Sequence, residues 1–319
     1  SDHNFTFSVK KNSEMKTSEI FFVLICAIMS YLIEANSDYG DIFEYCTSTE
    51  HSSTVTCKPW NSSAKVQVIQ KESIIDGYKV ETYQLIFTED SFPEFRTLNL
   101  TEGAYSHFPA IKYTAFHSVN IDGASAPFIN QSLLDSVVMM NNDLQEFPRD
   151  FFRGIPNLKS IEISGQNFST LSADLFSEIP ENLVIMSLER NSVKDIGSMA
   201  FSKFHKLEEL SLMDNLVTEL DYTSFEGLDN LNILNLNFNE IITIKYGTFD
   251  SLSNLRVLLL DANRFDGLPG SVFKNLKYLE TVEFSGNWTE HTCKYLLEGL
   301  QYLTYAVCGN IIIDTTIKR

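Results

Sequence analysis

Four consecutive stretches decide how this chain folds: LVIMSLERNSVKDIGSMAFSKFHK (183–206), LEELSLMDNLVTELDYTSFEGLDN (207–230), LNILNLNFNEIITIKYGTFDSLSN (231–254) and LRVLLLDANRFDGLPGSVFKNLKY (255–278). Each is 24 residues long and opens on leucine. Earlier units start at Leu134 and Leu158, the second longer by one residue, and a further start at Leu279 is not completed. A period in the low twenties marks a stacked, quasi-one-dimensional architecture in which each unit contacts only its neighbours. The second and third apolar residues of each front stand two apart, as at Leu210 and Leu212, Leu234 and Leu236, Leu258 and Leu260, which is the period of a short strand with one buried face. Such a strand buries that face only by stacking on copies of itself.

The ninth position is filled by Asn142, Asn191, Asn215, Asn239, Asn263 and Asn287. A side-chain amide offers donors and an acceptor to backbone groups that a bend would strand inside the stack, whereas aspartate would lack the donors. The second unit has Gln166 there, followed by Asn167, so its contact is expected to be displaced or lost. Phenylalanine recurs at the nineteenth position as Phe152, Phe176, Phe201, Phe225, Phe249 and Phe273, which reads as an aromatic spine filling the convex side of the core. The front LxxLxLxxN resembles the leucine-rich repeat family in its longer, extracellular form. The resemblance implies an α/β solenoid: a horseshoe with a parallel, concave β-sheet, an irregular convex side and a cap at each end.

Organisation is read around this array. Residues 134–278 are six regular repeats, 61–133 degenerate repeats, 38–60 an N-terminal cap, 279–310 the last front with a C-terminal cap, and 311–319 a tail. Within 61–133, the segments AKVQVIQ, YKVETYQLIF and FRTLNL alternate as strands do; Phe95, Leu98 and Leu100 match one front, and Val119 with Ile121 another. In the last cap Leu296, Leu297, Leu300 and Leu303 fall at helical spacing, so a short amphipathic helix is expected over the open end of the stack. At the other end, the segment from Met15 joins Lys16, an apolar run Ile20 to Ile33 and a small-residue exit Ala35 to Ser37. These are the three parts of a secretory signal peptide, 15–37, with 1–14 an upstream stretch. Cleavage after Ala35 or after Ser37 suits it, an uncleaved anchor is the alternative, and the run falls short of the about 20 residues a bilayer span needs. Outside the signal four cysteines remain, allowing three connectivities. Sequence proximity and the need to seal two open ends favour Cys46 with Cys57 and Cys293 with Cys308. Extracellular members of the family often use four cysteines in the last cap, and this chain has two.

The formal net charge of -18 and pI of about 4.7 argue against a nucleic-acid partner and against anionic lipid. They leave a soluble exported protein, or one whose field steers a basic ligand. Sequons downstream of the signal stand at Asn61, Asn99, Asn130, Asn167 and Asn287. The register assigns Asn287 to the buried ladder and Asn99 to the inner sheet, so occupancy is expected at Asn61, Asn130 and Asn167.

The polar positions of the fronts line one continuous face, a setting for protein recognition. On it an apolar strip of Ile185, Met213, Ile233, Phe238, Val257 and Leu259 is rimmed by carboxylates such as Glu209 and Asp261, with Asn235 among them. Apolar anchors inside a polar rim are the make-up of a binding patch. Catalysis is not expected: His51, His107, His117, His205 and His291 sit apart in cap, irregular or convex segments, with no triad-like partner on the concave face. The sequence holds no phosphate-binding glycine loop, no calcium loop and no zinc spacing, so neither metal nor cofactor is expected. The reading is a secreted, non-catalytic recognition protein binding a protein ligand through the concave face. The alternatives are a matrix or scaffold protein acting by self-association, for which a homodimer is the mark, or the truncated ectodomain of a membrane receptor. The resemblance implies immune, adhesion or receptor-signalling roles.

Overall fold

The computed structural model describes residues 111–118, 120–122, 126–129, 131–144, 146–147 and 150–314, and, as backbone alone, five strands between 46 and 99. The upstream stretch, the signal segment, Asn61, Asn130 and the side chains of Cys46 and Cys57 lie outside the described residues.

The period-two fronts form the strands of one sheet. After β1 (Cys46–Ser48), β2 (Thr54–Cys57), β3 (Ala64–Ile75), β4 (Tyr78–Glu89) and β5 (Thr97–Asn99) come β6 (Ile111–His117), β7 (Asn120–Asp122), β8 (Ser136–Met140) and β9 (Ser160–Ser164). The regular units then supply main-sheet strands β11 (Ile185–Ser187), β13 (Glu209–Ser211), β15 (Ile233–Asn235), β17 (Val257–Leu260) and β18 (Thr281–Phe284). Between them lie two-residue strands β10 (Thr170–Leu171), β12 (Asp195–Ile196), β14 (Glu219–Leu220) and β16 (Thr243–Ile244). Helix α1 (Glu290–Leu296), β19 (Tyr305–Cys308) and β20 (Ile311–Asp314) complete the described chain. Among the described residues the main sheet has 14 strands, parallel from β4 to β19 and antiparallel at both ends. The short strands pair separately behind it, β10 with β12, β14 with β16 and β5 with β7.

The register stacks like on like. Ile161, Met186, Leu210, Leu234, Leu258 and Val282 are successive Cα partners, and all are buried. The phenylalanine spine is present: Phe176 stacks on Phe201 at 5.4 Å, Phe225 on Phe249 at 6.1 Å and Phe249 on Phe273 at 6.5 Å. Such contacts add about 0.5–1.5 kcal/mol each beyond the area they bury.

What lets the chain leave the strand is a two-residue device. The eighth residue of six successive units takes positive φ: Asn141, Gly165, Arg190, Asp214, Phe238 and Ala262 lie between 53° and 65°. The ninth then folds its amide back into the bend. Asn215 Oδ1 accepts from the backbone N–H of Asn191 and of Val193, both at 3.0 Å, while its Nδ2 donates to the carbonyls of Leu188 and Leu212 at 2.9 and 3.0 Å. Asn239 and Asn263 repeat the pattern. Gln166 is not displaced, contrary to the expectation from its type. Its Oε1 accepts from Asn142 N at 3.2 Å and Leu144 N at 3.0 Å, and its Nε2 donates to Met139 O and Ser164 O. The bend requires an amide, and one extra methylene does not change that.

Several segments differ from their sequence reading. Residues 64–89, read with the degenerate repeats, form an antiparallel hairpin of twelve Cα pairs, and parallel stacking starts only where β4 meets β6. Leu98 and Ile121 belong to the outer pair β5–β7 and not to inner fronts, so Asn99 is not on the inner sheet. The last helix stops at Leu296, with Leu297 as its C-cap, so Leu300 and Leu303 pack on the core from the following turns. It is the one helix among the described residues, none of which forms a helix long and apolar enough to cross a membrane. The Cys293–Cys308 disulfide ties α1 to β19 and closes a 15-residue separation. Residues 311–314, read as tail, are β20 at the edge of the sheet.

Replacing Asn215 by alanine strands two backbone N–H groups and two carbonyls inside the bend, a loss of about 3 kcal/mol. Chemical denaturation measures it, and a change below about 1 kcal/mol would show that the ladder is not needed.

Candidate functional site

The main sheet buries one face and leaves the other open, so the third, fifth and seventh residues of each front project together. Adjacent strands bring Ile185, Glu209, Ile233 and Val257 into one row and Ser187, Ser211, Asn235 and Leu259 into the next. Ile233, Val257 and Leu259 therefore form one contiguous, half-exposed apolar patch. Ile185, 39% exposed, is separated from it by Glu209. Met213 abuts the patch through Asn235, whose Nδ2 lies 3.7 Å from the Met213 Sδ. Asn237 binds inward: its Oδ1 accepts the backbone N–H of Asp261 at 2.6 Å, and its own N–H donates to Asn235 Oδ1 at 3.0 Å.

Phe238 stands at the rim. It is 53% exposed and has φ 56°, a conformation that a bulky side chain adopts at a cost of roughly 1–3 kcal/mol. The same position in neighbouring units holds the smaller Asp214 and Ala262. The strained backbone of Phe238 is held by its N–H bond to Asp261 O at 3.0 Å.

Toward the N-terminal side the face is acidic. Ser211 Oγ donates to Glu189 Oε1 at 2.7 Å. Burial, and then the charge of Glu189, pushes the Glu162 carboxyl above its ordinary range; burial, and then Glu162, does the same to the Tyr113 phenol. His117, read from sequence as lying off this face, sits on it, because β6 pairs with β8 and places His117 beside Met140. Its Nε2 is buried with no hydrogen-bond partner among the described residues, and burial lowers its pKa. Among the described residues no group of three or more His, Cys, Asp or Glu side chains is placed to hold a metal ion.

A second ladder escaped the sequence reading. At the last position of their units Asn157, Asn182, Asn230 and Asn254 each donate Nδ2 to a carbonyl in the preceding unit, at 2.6 to 3.3 Å. The 24- and 25-residue recurrence of asparagine was the available signal. These contacts are exposed and brace the edge of the face.

The sequons sort differently from expectation. Asn167 is exposed, with Nδ2 donating to Asp143 Oδ1 at 2.8 Å. Asn287, assigned by register to the buried ladder, is exposed. The ladder ends two residues earlier, where Ser285 Oγ accepts from Asn263 N at 3.0 Å and donates back to Asn263 O at 3.3 Å. Because Ser285 already meets the N–H of Asn263, the Asn287 amide stays outside the bend, and Thr289 caps α1 by accepting from Thr292 N. In chain made through a secretory pathway, Asn287 is expected to carry glycan alongside Asn167; glycopeptide mapping with Asn167 occupied and Asn287 bare contradicts this.

A carboxyl whose folded pKa is raised binds its proton more readily folded than unfolded. Its contribution favours the fold below the unfolded pKa and is lost as pH rises through the folded one. Glu162→Gln is therefore expected to melt higher than the wild type at pH 7, and the advantage should vanish below about pH 4. Equal melting temperatures at neutral pH would remove the strain assigned to Glu162.

Comparison with known proteins agrees with this geometry. A family model described as "Leucine rich repeat" matches residues 181–241 and 205–265, and a "BspA type Leucine rich repeat region (6 copies)" matches 87–184. A curated relative from Danio rerio, "Transforming growth factor beta activator LRRC33", is 26% identical over 173 residues, which is 52% of this chain and 24% of that protein. The chain thus matches about a quarter of that relative's length. Among solved structures, a chain of the mouse RP105/MD-1 complex superposes with TM-score 0.56 at 22% identity, covering 68% of this chain and 36% of that one. A chain of the TLR13-ssRNA13 complex gives TM-score 0.47 at 22% identity, covering 66% and 35%. With repeats of one period stacked in register, and with repeat matches running from residue 87 to 265, the chain belongs to the leucine-rich repeat proteins.

Proposed function

We propose that this chain is a non-catalytic recognition protein that works outside the cell and binds a protein partner through the open face of its main sheet. The observation that carries the reading is the contiguous patch of Ile233, Val257 and Leu259, with the exposed Phe238 at the end of the same front. A sheet face with no partner is ordinarily polar, and a strained, exposed aromatic at the end of the same front is retained at a cost in stability. The Cys293–Cys308 bridge fits an oxidising compartment and supports export. The Danio rerio relative is named as an activator of a growth factor, a role exercised through another protein. Glu209 and Asp261, with Asn235, supply the polar surround that orients a guest on the patch.

Extracellular proximity capture with the wild type, Ile233→Asp and Phe238→Asp tests this, with Tyr222→Asp, exposed beyond outer strand β14, as control. Partners are expected to be lost in the first two variants and kept in the control. Phe238→Asn separates function from folding: asparagine tolerates positive φ, so the melting temperature should rise by about 2–4 °C while binding falls. Identical partners in all variants would remove the open face from function.

A further inference from the structure

Across the seven fronts from Ser136 to Ser285, the open-face positions include Glu162, Glu189, Glu209, Asp261 and Glu283 and no lysine or arginine. Of the cations at flanking positions, Arg190 pairs with Asp214 at 3.1 Å and Arg256 with Glu280, and Lys159 stands beside the first acidic front. The open-face rows therefore present a net negative charge to whatever lies on them.

These carboxylates are not spread evenly. Glu162, Glu189 and Glu209 come from three consecutive fronts, and Asp261 and Glu283 from two more. Between them stands β15, whose open-face residues Ile233, Asn235 and Asn237 carry no charge, with Val257 and Leu259 beside it. At about 4.8 Å per strand the two acidic groups lie roughly 10–20 Å apart across the sheet. An extended peptide rises about 3.3 Å per residue, so roughly three to six residues bridge that gap. Glu162 and Glu189 also repel one another, and a guest cation between them gains both its own attraction and the relief of that repulsion.

We infer that the open face docks a protein segment with Lys or Arg on both sides of an apolar centre, the apolar side chain on Ile233, Val257 and Leu259 and a cation against each acidic group. This rests on the recognition role proposed above. Charge complementarity selects the class of guest and speeds encounter, while the patch supplies the residence time.

The test is a phage-displayed library of random dodecapeptides panned on the folded chain at about 0.15 M salt, where screening acts over about 8 Å. Enriched peptides are expected to place Lys or Arg on both sides of an apolar residue. Their binding should weaken about tenfold or more in the combined Glu189→Gln, Glu209→Gln, Glu283→Gln variant, and should weaken for the wild type when salt is raised to about 1 M. The salt titration needs no variant and so stands even if the triple substitution disturbs the fold. Neutral or acidic peptides that nevertheless lose binding with Ile233→Asp overturn the charge assignment and leave the open face as the site. Binding insensitive to Ile233→Asp and to the glutamine variant overturns both readings, as does a library without binders. A scrambled peptide of the same composition that binds equally well reduces the effect to general charge attraction and overturns the inference.

Discussion

The fold depends on satisfying backbone polar groups at one bend. A chain that leaves a strand and turns across the end of its own core carries N–H and C=O groups into an interior where water does not reach, and each unpaired group costs about 1–3 kcal/mol. In this protein a single amide per unit meets that demand. The amide of Asn215 joins groups from its own unit and the one before, so a turn is complete only when its neighbour is present. That makes stability a property of adjacent pairs of units, and it requires both ends of the array to be closed by something other than a repeat.

Both ends are closed in related ways. At the first, the antiparallel hairpin of β3 and β4 passes the sheet to the parallel stack. At the second, the hydroxyl of Ser285 takes the place of the ladder amide, α1 and its disulfide cover the core, and β20 returns antiparallel along β19. The hydroxyl there meets both the N–H and the carbonyl of Asn263. Ion pairs between successive units, such as Arg190 with Asp214 and Arg264 with Glu240, follow the same spacing, but they are exposed and individually worth little. Packing and the amide ladder hold the stack, and the surface charge contributes little to it.

The same regularity shapes the open face. Because each front places side chains at fixed positions two residues apart, charge and apolarity form rows across strands and not isolated points. One unit contributing Ile233, Asn235 and Asn237 is enough to divide an acidic surface into two halves. Phe238 sits at the eighth position, where the bend fixes the backbone whatever the side chain. Strain at that residue is therefore borne by the scaffold and not relaxed locally.

Sequence alone determined the period, the strand positions of the regular units, the buried leucine columns, the phenylalanine spine and the pairing of Cys293 with Cys308, because each of these repeats or is local in the chain. Its period-two fronts also put Ile233, Val257 and Leu259 on one face, but not His117. Three matters were decided only by the tertiary structure. Whether Gln166 joins the ladder depends on where its amide ends up, which residue type does not reveal. Whether Asn287 is buried depends on whether another group has already met the N–H of Asn263, and Ser285 has. Whether Ile185 and Ile233 touch depends on what lies between them in the neighbouring strand, and Glu209, 24 residues from each partner in one long row, stands in that place. A periodic sequence specifies the lattice, but the contents of adjacent lattice points meet only when the units stack.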